Sequence, residues 1–138
     1  MYETILVTLD TTPTDRAIID HIKQLAGVMR SKVCLLHVAT GVPALWNGEE
    51  AGGKEVEEDR AYLETVRSEF ASAGIPTTAE LAFGDPVKQI VKWIESHPVD
   101  LVAMSTHGHH LISDVLLGVT ASRVQHQVSV PVLLLRAK

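Results

Sequence analysis

Five short apolar runs recur along the chain, at Thr4–Leu9, Lys32–Val38, Thr77–Phe83, Val99–Ser105 and Val130–Arg136, with segments of helical spacing between them. Short runs rich in Val, Ile and Leu that alternate with amphipathic stretches predict a mostly parallel sheet, because crossover helices cover parallel strands on both faces. The run Thr77-Thr78-Ala79-Glu80-Leu81 is more polar than the others, which predicts that the third strand lies at a sheet edge.

Ile18, Ile19, Ile22, Leu25 and Ala26 recur at helical spacing, as do Val87, Ile90, Val91 and Ile94, so each helix has one stripe to lay on the sheet. Thr12-Pro13-Thr14-Asp15 predicts a helix start with Thr12 at N-cap, Pro13 at N1 and the Asp15 carboxylate at N3, and Asp85-Pro86 repeats the cap-then-proline signal. Gly74 is expected to close a helix over roughly Glu55–Ala73. Ala39–Lys54 breaks the pattern with Gly41, Pro43, Gly48, Gly52 and Gly53, and reads as a long loop leaving the carboxyl end of the second strand. In open parallel sheets ligands sit at that end, so this loop is either a lid or partner surface or a merely solvated connection.

At 138 residues the chain is expected to form one domain over 1–138. No run approaches the ~20 apolar residues of a membrane span, and Met1-Tyr2-Glu3 leads directly into a strand without a leader pattern, so a soluble cytoplasmic protein with no membrane partner is expected. Cys34 is the only cysteine, which excludes an intrachain disulfide, and Val33-Cys34-Leu35-Leu36 reads as strand core. The net charge of −5 argues against nucleic acid, whose binding needs clustered Lys and Arg.

Candidate chemistry concentrates in Asp100–Gly108, His109–Leu117, Gly118–Val124 and the final Val130-Pro131-Val132-Leu133-Leu134, read as strand, glycine turn, helix and strand. A phosphate-binding turn needs glycine for close backbone approach, and a following helix N-terminus adds free N–H donors. Gly108 and Gly118 are placed for those two tasks. Rival motifs are weaker. His107, His109 and His110 lack a companion cysteine pair or a His-Glu-x-x-His helix, so no metal site is predicted. Gly52-Gly53-Lys54-Glu55 lacks the Walker hydroxyl, no Gly-x-Ser-x-Gly elbow presents Ser105, and Asp10-Thr11-Thr12-Pro13 stands where a dinucleotide fingerprint would be. Trp46, Trp93 and Arg123 read more simply as surface-covering or solvated residues than as ligand contacts.

These residues resemble the universal stress protein family. The resemblance covers nearly the whole chain: the opening Ile5-Leu6-Val7-Thr8-Leu9-Asp10, Leu35-Leu36-His37-Val38, Gly84-Asp85-Pro86, and Met104–Gly108 with Gly118 at the family's spacing. It implies a three-layer α/β/α sandwich whose five-stranded parallel sheet has the order 3-2-1-4-5. It implies an adenine-nucleotide site, for ATP or AMP with or without Mg²⁺, with Thr8, Leu9, Asp10 and Val38 beside adenine and ribose. Ser105 to His109, with His107 and Gly108 among them, and Gly118, Val119 and Thr120 would surround the phosphates, with Met104 as a further nucleotide-contact residue. Asp10 would bind ribose or adenine or hold Mg²⁺ against phosphate, with capping of the first helix as its plainer role. Two positions depart from the nucleotide motif: Ser105 replaces its first glycine and Val119 the hydroxyl residue after its last. The resemblance further implies a homodimer through the edge strand at Val130–Leu135, and a stress-response regulator read by a protein partner more than a dedicated enzyme. A nucleotide-independent interaction protein and a slow ATPase stand as the alternatives.

Overall fold

The computed structural model describes residues 1–40, 53–107 and 112–137, and the side-chain surroundings of all of these except 107 and 112–119. Strands β1 (Thr4–Thr8), β2 (Lys32–Ala39), β3 (Thr77–Phe83), β4 (Leu101–His107) and β5 (Val132–Ala137) alternate with helices α1 (Asp15–Met29), α2 (Gly53–Ser72), α3 (Pro86–Ser96) and α4 (Ile112–Gln127). The strands pair in parallel in the order β3-β2-β1-β4-β5, as expected. The order of winding reverses between β1 and β4, so the helices that follow these two parallel strands cover opposite faces of the sheet.

Side chains alternate across the sheet, and each face carries its own core. Ile5, Val7, Val33 and Leu35 pack against Ile18, Ile19 and Ile22 of α1 and Leu63, Val66 and Phe70 of α2. Leu6, Leu36, Val102 and Met104 pack against Ile90 and Trp93 of α3 and Ala121 and Val124 of α4. Two helices on each face give the three layers. Cys34 faces this second core and is half-buried, not the enclosed thiol that its apolar neighbours predict. Among the described residues no helix is long and apolar enough to cross a membrane.

Two helix boundaries follow their signals. Asp85 caps α3 by accepting from the Lys88 N–H at 2.9 Å, with Pro86 following. Gly74 sits at φ +83° beyond α2, where Ile75 N–H bonds back to the Phe70 carbonyl. The start of α1 differs. Residues 12–14 form a turn, and the helix begins at Asp15 with Thr14 as N-cap and no side-chain cap bond. The reason is that Asp15 is turned back under the preceding loop, accepting from the N–H groups of Asp10 and Thr11. β4 and β5 begin two residues later than the apolar pattern suggests, at Leu101 and Val132. Val99 and Val130 are apolar because they close the second core from the connections, while the Asp100 carboxylate accepts the N–H of Thr4.

Candidate functional site

At the carboxyl ends of β1, β2 and β4 lies a crevice of about 310 Å³. Thr8, Leu9 and Asp10 form one wall as β1 runs out, and Leu36, His37, Val38 and Thr40 come from the end of β2. Met104 and Ser105 of β4, Pro86 and Ile90 of α3 and Thr120 of α4 complete it. Topology explains this gathering: β1 is central, flanked by β2 and β4, so three segments far apart in sequence end side by side. The crevice is apolar on its floor, where Leu9, Leu36 and Met104 are buried, and polar at its lip. Such a lining suits a flat apolar group with a polar attachment.

Two features fix its geometry. Asp15 is fully buried and accepts from Asp10 N–H at 2.9 Å, Thr11 N–H at 2.8 Å and Tyr62 Oη at 2.8 Å. Thr11 is held at φ +60°, a conformation a non-glycine residue adopts only when its surroundings impose it. On the other side the His37 Nδ1 donates to the Leu9 carbonyl at 2.7 Å, which leaves Nε2 toward Asp59 of α2 at 3.6 Å. The loop after β1 is thus clamped from α1, α2 and β2 together.

Ser105 is the most informative member. Its hydroxyl is buried and has no hydrogen-bond partner among the described residues, yet it lines the crevice. Adjoining the crevice, and sharing Asp10, His37, Val38 and Thr40 with it, is a second hollow of about 270 Å³ that carries Glu55, Glu58 and Asp59. Carboxylates on that flank disfavour an anion there and leave the Ser105 and Thr120 side for one.

Of the residues singled out in the sequence, Thr8, Leu9, Asp10, Val38, Met104, Ser105 and Thr120 come together in the crevice. Gly118 and Val119 lie inside α4, which begins at Ile112, so Gly118 does not open a helix as the strand-turn-helix reading expects. The His107 side chain, Gly108, His109, Trp46 and most of the loop after β2 lie outside the described residues. Arg123 is exposed on α4, in keeping with a solvated helix charge. Sequence reasoning missed Thr12, Leu36, His37, Thr40, Pro86 and Ile90 as crevice residues. Asp85-Pro86 signalled a helix start, and only the strand order shows that this start overhangs the crevice. Among the described residues no group of His, Cys, Asp and Glu is arranged to hold a metal ion.

A parallel, doubly wound sheet with a crevice at its switch point defines the open three-layer α/β class, in which ligand crevices lie beyond the carboxyl ends of the strands. The family model of the universal stress protein family matches residues 1–136, and the chain belongs to that family. It is 27% identical to universal stress protein MJ0577 of Methanocaldococcus jannaschii, over 100% of this chain and 97% of the relative. The solved structure of MJ0577 superposes with a TM-score of 0.84 at 28% identity, covering 100% of this chain and 98% of the other. A universal stress protein in complex with cAMP shares the fold at TM-score 0.79 and 19% identity, covering 99% of both chains. One from Archaeoglobus fulgidus in complex with dAMP does so at 0.72 and 16%, covering 96% of this chain and 97% of the other.

Proposed function

We propose that the crevice binds an adenine nucleotide, AMP or ATP with Mg²⁺, and that the protein is a ligand-responsive stress regulator acting as a homodimer. The observation that carries the reading is the crevice of about 310 Å³ at the carboxyl ends of β1, β2 and β4, whose apolar floor is bordered by Asp10, Ser105 and Thr120. That volume is near the lower end of ligand pockets, ~300–1,000 Å³, and suits a mononucleotide. Relatives of the same fold in complex with cAMP and dAMP support the ligand class. Adenine and ribose belong against Leu9, Val38 and Asp10. The phosphates belong on the Ser105 and Thr120 side, away from Glu55, Glu58 and Asp59, with Thr106, His107, Gly108, His109, Gly118 and Val119 as the remaining candidates of that flank.

Isothermal titration of the ligand-stripped protein with AMP, and with ATP and Mg²⁺, tests the reading. Saturable binding that is lost in Ser105→Leu, which puts a larger apolar side chain into the crevice, and retained in the surface variant Arg123→Ala is expected. Absence of heat up to millimolar nucleotide, with the protein folded, would instead favour a nucleotide-independent interaction protein. The β5 edge is the proposed dimer contact, and bound nucleotide alters the loops around the crevice for a protein partner to read. Hydrogen exchange in residues 39–54 and 106–117 should slow on saturation, and unchanged exchange in both would remove the switching part of the proposal.

A further inference from the structure

Asp59 and Tyr62 stand three positions apart on α2 and so share one face of that helix. Both reach the segment after β1, by separate routes. The Tyr62 hydroxyl donates to the Asp15 carboxylate at 2.8 Å, and the same carboxylate accepts the N–H groups of Asp10 and Thr11. Asp59 lies 3.6 Å from Nε2 of His37, whose Nδ1 donates to the Leu9 carbonyl. Further along the helix Leu63, Val66 and Phe70 are buried in the core. The segment reached by these contacts is a wall of the crevice: Leu9, Asp10 and Thr12 line it, and Thr11 between them has φ +60°. Asp15 is fully buried and does not line the crevice, and its two oxygens serve three donors.

We propose that Asp15 and Tyr62 are positioning residues for the ligand of the crevice: they touch no ligand, yet they hold Asp10–Thr12 in the backbone shape that presents Asp10 to it. The proposal rests on the reading of the crevice as a nucleotide site. Core packing seats α2, and the Tyr62 hydroxyl carries that seating to the loop through one shared carboxylate. Without the hydroxyl, Asp15 keeps its backbone donors and loses the bond that orients it, so Thr11 is freer to leave its positive φ. Leu9 keeps its own tie through His37. The loss therefore falls on the preorganisation of one wall, which is read as affinity.

Isothermal titration of the full chain and its variants with AMP tests this. Tyr62→Phe should weaken AMP about three- to tenfold. Glu69→Gln is the control: Glu69 bonds Arg16 and Lys23, so this change loosens the charge tie between the same two helices, α1 and α2, and should leave the affinity unchanged. Asp15→Asn, which replaces one acceptor oxygen with a donor, should weaken AMP at least as much as Tyr62→Phe. Adding Tyr62→Phe to it should cause no further loss, because the hydroxyl acts through that carboxylate. If Asp15→Asn does not fold, Tyr62→Phe against Glu69→Gln decides alone. AMP binding by the unaltered chain with equal affinity in Tyr62→Phe would overturn this proposal only. An equal loss in Glu69→Gln, or additive losses in the double variant, would do the same. No binding by the unaltered chain would overturn the nucleotide reading and this proposal with it.

Discussion

Asp15 is fully buried, and a carboxylate removed from water persists only where donors surround it. Here the donors are two backbone N–H groups of the loop after β1 and the Tyr62 hydroxyl of α2, so this side chain shapes the crevice without being one of its lining residues. Asp15→Ala should lower stability by about 2–4 kcal/mol, by stranding those donors, as measured by urea unfolding. Burial, aided by the bond to Asp15, pushes the Tyr62 phenol above its ordinary value of 10.0. The folded state therefore holds that proton more tightly than the unfolded chain does. Its contribution is complete below pH 10 and is lost as pH rises toward the folded value. Tyr62→Phe should flatten the alkaline fall in urea midpoint. Asp10 was legible as a residue of the crevice from its place at the end of the first apolar run and from the family resemblance. Asp15 was legible only as a helix-start carboxylate, because no local pattern reports that its loop folds back over it.

At the scale of elements, α1 and α2 are tied by charge as well as by their shared core. Arg16 reaches Glu69 at 2.6 Å, and Lys23 bonds the same carboxylate. The Arg16 and Lys23 bonds hold the Glu69 carboxyl at about 2, below its ordinary 4.5. A carboxylate depressed on folding stabilises above its unfolded value, and that support is lost as pH falls from about 4.5 through about 2. With Arg16 half-exposed, solvent screening limits the effect to about 1 kcal/mol, which Glu69→Gln should remove at neutral pH and not at pH 2. Strand identity was legible throughout because each run keeps to its period, and β3 matches its expected bounds, Thr77–Phe83. The ends of β4 and β5 were not, since Val99 and Val130 are apolar for packing reasons that look the same in sequence as strand membership. The crevice was legible as single residues from three strand ends. Pro86, Ile90 and His37 joined it only once the strand order was known.

For the whole molecule, the sheet has two unlike edges. β3 exposes Thr78, Ala79 and Glu80, whereas β5 carries Val132, Leu133 and Leu135 half-buried and Leu134 38% exposed. An apolar edge invites pairing, and a charged, polar one discourages it. With dimerisation through β5 as proposed, Val132→Lys should halve the mass seen by light scattering. An unchanged mass would remove that edge from consideration. The inequality of the edges also bears on the stoichiometry of the proposed assembly. If β5 pairs with its own copy as proposed, the pairing consumes the apolar edge of both chains and leaves the polar β3 facing outward on either side, which would end growth of the sheet at two chains.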